Sequence, residues 1–119
     1  MAAPNIVSVS DIRGKSSFAN VTNSYSNLVV NSTSSNKVVK VNTIYVTNVD
    51  GSNTTNISIQ VARSGYSYGL ANTMLVPADS TLTVTTKDTS FYLEEGDYIE
   101  VKAETNNRTH VICSYEEIS

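Results

Sequence analysis

Four short stretches of this chain carry an apolar residue at every second position: "ISIQVA" at 57–62, "TLTVTT" at 81–86, "YIEVKAE" at 98–104 and "VICSY" at 111–115. A period of two is the repeat of an extended strand, whose successive side chains point to opposite faces. The pattern therefore puts Ile57, Ile59 and Val61 on one buried face. It does the same for Leu82 and Val84, for Ile99, Val101 and Ala103, and for Val111, Cys113 and Tyr115. Thr, Glu and Lys fill the alternate places, as in antiparallel sheets with one wet face. No window repeats apolar residues at helical spacing, and β-branched residues dominate. The fold class expected is all-β: an antiparallel β-sandwich, jelly-roll-like or Ig-like, of about eight or nine short strands.

The longest apolar run, "KVVKVNTIYVTNV" at 37–49, changes phase. Val39 and Val41 share one parity, whereas Ile44 and Val46 share the other. A bulge near Asn42 and Thr43 would restore a single buried face. A bend there would also let the strand pass from one sheet to the other. Turn chemistry separates the strands. Asp50-Gly51 is the strongest short hairpin signal. "RGK" at 13–15, "RSGYSYG" at 63–69, "VPADS" at 76–80, "EEGD" at 94–97 and "TNNRT" at 105–109 supply further turns. With 119 residues the chain is expected to form one sandwich domain over 1–119. Residues 1–36 are poorer in apolar side chains and read as edge strands or as an N-terminal arm reaching a neighbour.

A net charge of −3 offers no basic footprint, so neither nucleic acid nor a membrane surface is expected as a partner. Charge is nonetheless uneven: residues 88–119 hold eight Asp/Glu against Lys102 and Arg108, while residues 1–87 hold six Lys/Arg against three Asp. Solvated turns explain this, as would a charge-matched contact between copies. The single cysteine, Cys113, has no disulfide partner in the chain and lies in an alternating run, so a buried thiol is expected. His110 is the one histidine, and on a strand it faces away from Cys113. No metal site and no cofactor are expected. The opening "MAAPNIVSV" lacks the pattern of a secretory leader. The five N-x-S/T sequons, at Asn20, Asn31, Asn53, Asn56 and Asn107, are taken as unmodified products of a composition with 44 Asn, Ser and Thr residues.

Two features invite chemistry. In "FYLEEGDYIEV", Glu94, Glu95 and Asp97 surround Gly96 between two apolar runs. A calcium loop needs more oxygen ligands at set spacing, and a glycosidase pair needs carboxylates facing across a groove. The stretch reads instead as a tight turn whose glycine takes a positive φ and whose carboxylates stand in water. In "SGYSYG", Tyr66 and Tyr68 alternate between glycines, a composition suited to gripping a protein or glycan.

As an ordered set, "MAAPNIVSVSDIRGK", "KVNTIYVTNVDGSNTTNISIQV", "LVPADSTLTV", "FYLEEGDYIEV" and "CSYEEIS" resemble the small virion structural proteins of tailed phages that infect marine cyanobacteria. The resemblance runs along nearly the whole chain. It implies a non-enzymatic particle component assembled in the host bacterial cytoplasm and located in the virion. A head decoration, or cement, protein is favoured, held by contacts with the major capsid protein or other virion proteins. A homo-oligomer is expected, with a trimer favoured by analogy to local threefold axes. A neck, collar or tail component, or a receptor- or glycan-binding module, is the alternative. The candidate contact residues are Tyr66 and Tyr68, the acidic turn Glu94, Glu95 and Asp97, and the terminal Tyr115, Glu116 and Glu117.

Overall fold

The computed structural model describes residues 11–119, so the first ten residues of the segment read as edge strands or an arm lie outside the described residues. The described residues form nine strands and one 3-10 turn: β1 (Ile12–Val21), β2 (Ser26–Val30), β3 (Val38–Asn48), β4 (Thr55–Arg63), β5 (Tyr66–Val76), β6 (Thr81–Thr85), the turn Lys87–Thr89, β7 (Phe91–Leu93), β8 (Tyr98–Ala103) and β9 (Thr109–Ile118). They make two antiparallel sheets. Sheet I runs β1-β9-β3-β6, and β7 continues the β6 edge of β3; sheet II runs β2-β8-β4-β5.

The pairing is nested. The first strand pairs with the last, the second with the one before it, β3 with β6 and β7, and β4 with β5. The chain is one long hairpin, folded at β4–β5 and rolled into two layers. This is a jelly roll, which decides between the two sandwich types that the alternation allows. Every connection except the β4–β5 hairpin and the β6–β7 link passes from one sheet to the other.

The expected inward sets meet in the middle. Ile57, Ile59, Ile99, Val101, Val111 and Cys113 are buried together, and Val61, Leu82, Val84 and Tyr115 pack partly buried against them. The phase change in β3 is a bulge: Val41 faces Tyr115 and Thr43 faces Ser114, so Asn42 has no partner on β9. Val39, Val41, Ile44 and Val46 consequently all point inward. The strand stays in sheet I throughout rather than changing sheets.

Two turn expectations fail for identifiable reasons. Gly14 lies inside β1, opposite Glu116, because ten consecutive pairs with β9 hold "RGK" extended. Asp50-Gly51 makes no hairpin and instead joins β3 in sheet I to β4 in sheet II. Asp50 Oδ1 accepts from the Ser52 N–H at 2.9 Å, and Arg108 Nη1 donates to Oδ2 at 2.6 Å, so the side chain shapes a wider loop. The tight hairpin is Ser64-Gly65, with φ of 52° and 83°. Both residues in the left-handed region identify the two-residue turn that matches strand twist.

Part of the uneven charge is paired across strands of one copy. Arg63 pairs with Glu94 and Asp97, Lys15 and Lys37 pair with Glu117, and Arg108 pairs with Asp50.

Two buried asparagines fasten the crossings. Asn31 Nδ2 donates to the carbonyls of Lys37 (2.9 Å) and Leu93 (3.0 Å) at one end of the sandwich. Asn48 Nδ2 donates to the carbonyls of Asn53 (2.8 Å) and Val76 (3.0 Å) at the other. Asn48→Ala removes these two bonds and a third that its Oδ1 accepts from the Asp50 N–H at 2.9 Å, at a cost of about 2 kcal/mol. Urea unfolding of the variant is expected to show a lower midpoint with an unchanged slope.

Candidate functional site

The hairpin turn Ser64-Gly65 and the acidic turn Glu94–Asp97 lie at one end of the sandwich. Ser64 and the acidic turn, along with Thr33 and Arg63, line an open cavity of about 450 Å³. The three carboxylates there are not equivalent. Asp97 is only 1% exposed, which corrects the expectation that all three stand in water. Its Oδ1 and Oδ2 accept from Arg63 Nε at 2.9 and 3.1 Å, and Oδ2 accepts from Arg63 Nη2 at 2.6 Å. Oδ2 also accepts from the Glu94 N–H at 2.8 Å. A buried carboxylate persists only when its lone pairs are filled in this way. Glu94 lies 2.8 Å from the same guanidinium and is largely exposed. Glu95 Oε2 accepts from the Asn36 N–H at 3.1 Å. Gly96 has φ of 89°, as the turn requires, and its N–H donates to the Asn31 carbonyl at 2.7 Å.

The hydrogen bonds that Arg63 donates to Asp97, followed by the charges of Asp97 and Glu94, raise the Arg63 pKa above its already high value. Three N–H donors, two from Arg63 and one from the Glu94 backbone, converge on Asp97. The arrangement is a clasp that ties β4 in sheet II to the β7–β8 crossing. Among the described residues no group of three His, Cys, Asp or Glu side chains could hold a metal ion.

Tyr66 and Tyr68 belong to the strand β5 rather than to a flexible loop, because the two-residue turn starts the ladder at once: Tyr66 faces Arg63 and Tyr68 faces Val61. Both rings therefore lie on the face of sheet II that carries Ile57 and Ile59. At this end the face is open, and the rings are 70% and 60% exposed. The acidic turn and the tyrosines thus share one end of the molecule.

The terminal candidates are elsewhere in the ladder. "SYEEIS" is not a loose tail but half of β9, with its backbone paired to β1 on one side and β3 on the other. Pairing with a neighbour through this segment is therefore closed off. Glu117 turns inward, 17% exposed, and its Oε1 lies 2.9 Å from Lys15 Nζ and 3.3 Å from Lys37 Nζ. The hydrogen bond from Lys15 is the first cause that holds the Glu117 carboxyl below its ordinary value. Burial, then the Glu117 charge, pushes Tyr115 up. Cys113 is fully buried, and desolvation pushes its thiol up to about 12.

One exposed feature escaped the sequence reading. On the outer face of sheet I, Phe18 stands opposite Ile112, and Ile112 opposite Tyr45. Phe18 is 72% exposed. A shallow hollow of about 280 Å³ runs between β1 and β9 here. Ile112 was visible as an apolar residue on the wet parity of "VICSY". Phe18 carried no signal until β1 was known to be a strand.

Asp97→Asn leaves Arg63 short of its counter-charge and is expected to destabilise the fold by about 2 kcal/mol, because Arg63 is half exposed and water screens part of the loss. Gly96→Ala meets no clash, the nearest atom being Thr33 Oγ1 at 3.7 Å, so its cost of about 1 kcal/mol is backbone strain alone. Thermal unfolding measures both. A group whose carboxyl is depressed in the fold adds stability above the ordinary carboxylate range and loses it as pH falls through the folded value. Glu117→Gln is therefore expected to flatten the loss of stability between neutral and acid pH.

No protein-family model matches this sequence, and no curated protein does. Among solved structures, the chain is similar to a subunit of Bacillus endospore appendages, described as a novel family of disulfide-linked pili. The TM-score is 0.53 and the identity 13%, over 98% of this chain and 95% of that one. A pentameric capsid protein from metagenomic phage sequences matches at a TM-score of 0.40 and 17% identity, over 84% of this chain and 59% of that one, too loosely to bear weight. What the first likeness establishes is the fold, shared from end to end.

Proposed function

We propose that the chain is a structural, non-enzymatic subunit of an assembled particle, and specifically a capsid decoration protein of a tailed phage. The observation that carries the reading is a set of large apolar side chains left exposed beside ionic groups that pair with one another. The ionic groups at the tip close on one another, while Tyr66, Tyr68, Phe18, Ile112 and Tyr45 face water. Large exposed aromatic side chains of this kind anchor protein contacts. The ordered motifs shared with tailed-phage virion proteins point the same way. The jelly roll is also a fold used by capsid domains. Decoration would work by burying these surfaces against the shell and bridging neighbouring capsomers. The linkage would be non-covalent. Where the pilus subunit of similar fold is described as disulfide-linked, this chain's one cysteine is sealed in its core. The preference for three copies has only the analogy with threefold capsid axes behind it.

A neck, collar or tail role shares the same surfaces and differs in copy number. Quantitative mass spectrometry of purified virions is expected to give hundreds of copies per particle. A value on the order of ten would move the protein to a neck ring. A virion lacking the protein altogether would reject the particle reading. Replacing both tyrosines, Tyr66→Ala with Tyr68→Ala, is expected to strip the protein from heads while leaving it folded. Hydrolytic activity that disappears in Glu94→Gln with Glu95→Gln would instead make the protein an enzyme.

A further inference from the structure

The free edge of sheet II specifies a partner. β5 is the last strand of that sheet, eleven residues long, and nothing among the described residues pairs with its outer side. Long edges are normally guarded by charge, and "YSYGLANTMLV" contains none. The other long edge, β1, carries Arg13 and Lys15, and Ser17 Oγ already donates to the Leu28 carbonyl of β2. β2, β6 and β7 are five residues or shorter.

Two register shifts bend β5 away from a straight line beyond Gly69, so the regular part of the edge is Tyr66–Gly69. Its hydrogen-bonding phase follows from the turn. In a two-residue hairpin the closing pair, here Arg63 and Tyr66, exchanges both backbone bonds, and hydrogen-bonded and open pairs then alternate. Ser67, opposite Ala62, is an open pair. Its N–H and C=O therefore point outward, with Tyr66 and Tyr68 on either side.

We propose that β5 pairs antiparallel with the same strand of a second copy, about a two-fold axis at Ser67. In that register Ser67 exchanges two backbone bonds with the partner's Ser67, and Tyr66 stands opposite the partner's Tyr68. An uncharged strand is self-complementary: like meets like with no repulsion and no need for a second, differently charged edge. The pairing uses the backbone, so the rings remain on the face of the joined sheet. Four tyrosines then form one plate. Aromatic pairs across strands add to the backbone bonds. A two-fold closes the contact at two copies, where the analogy with capsid axes suggested three. This inference names the self-association within the particle reading, but it is measured on purified protein, so either can fail without the other.

The test is sedimentation velocity on the full chain over a range of concentrations, with hydrogen exchange of the Ser67 amide. A concentration-dependent dimer is expected, with Ser67 protection rising as it forms. Ser67→Pro removes the outward N–H without touching the β4 ladder and is expected to weaken association by about 30-fold or more. Should that variant fold poorly by circular dichroism, Tyr66→Lys with Tyr68→Lys decides the matter, because it sets like charges opposite each other at exposed positions. Phe18→Lys, on the edge strand of the other sheet, is expected to dimerise as before. A protein monomeric at sub-millimolar concentration overturns the proposal. So does a dimer that survives the β5 variants, or one lost in Phe18→Lys, which would place the contact on sheet I.

Discussion

Each passage of the chain from one sheet to the other leaves backbone carbonyls and amides at the ends of a dry core, and the fold depends on their being filled. Two asparagine amides do this at opposite ends, Asn31 for the crossings near Lys37 and Leu93, and Asn48 for those near Asn53 and Val76. An Arg–Asp pair backs each of them: Arg63 with Asp97 at one end, Arg108 with Asp50 at the other. These side chains add to the backbone bonds that tie the crossings, such as Ala103 N–H to the Thr22 carbonyl and Val49 N–H to the Arg108 carbonyl.

The same economy separates interior from surface. Carboxylates that look like a reactive cluster in the linear sequence are consumed in closing the molecule. Asp97 takes two N–H donors from Arg63 and one from the Glu94 backbone, Glu117 holds two lysines, and Asp50 shapes a loop. Among the large apolar side chains left exposed are the tyrosines of the hairpin and the Phe18–Ile112–Tyr45 row.

Much of this was legible from the residues. The inward parities, the bulge at Asn42, the positive φ of Gly96 and the buried thiol of Cys113 all follow from local pattern, because a strand's faces and a turn's φ are set within a few residues. Asp97 was misread as solvent-facing, and the inward turn of Glu117 was not foreseen, for the opposite reason. Their partners, Arg63 and Lys15, are 34 and 102 positions away in the chain, and no local signal joins them. Asp50-Gly51 misled as well. The dipeptide that most favours a tight hairpin is also one whose carboxylate can cap a loop, and Arg108 selected the second use.

The alternation of apolar and polar residues determined by itself that this chain is all-β, two-layered and closed by short turns, since burying one face of each strand leaves few other solutions. Which strand neighbours which was decided only in three dimensions. β1 lies against β9 and β2 against β8 because the whole chain rolls as a single hairpin, and strands with the same alternating face are interchangeable until that topology assigns their partners. The free edge at β5, and with it the surface of the proposed association, exists only as a consequence of that assignment.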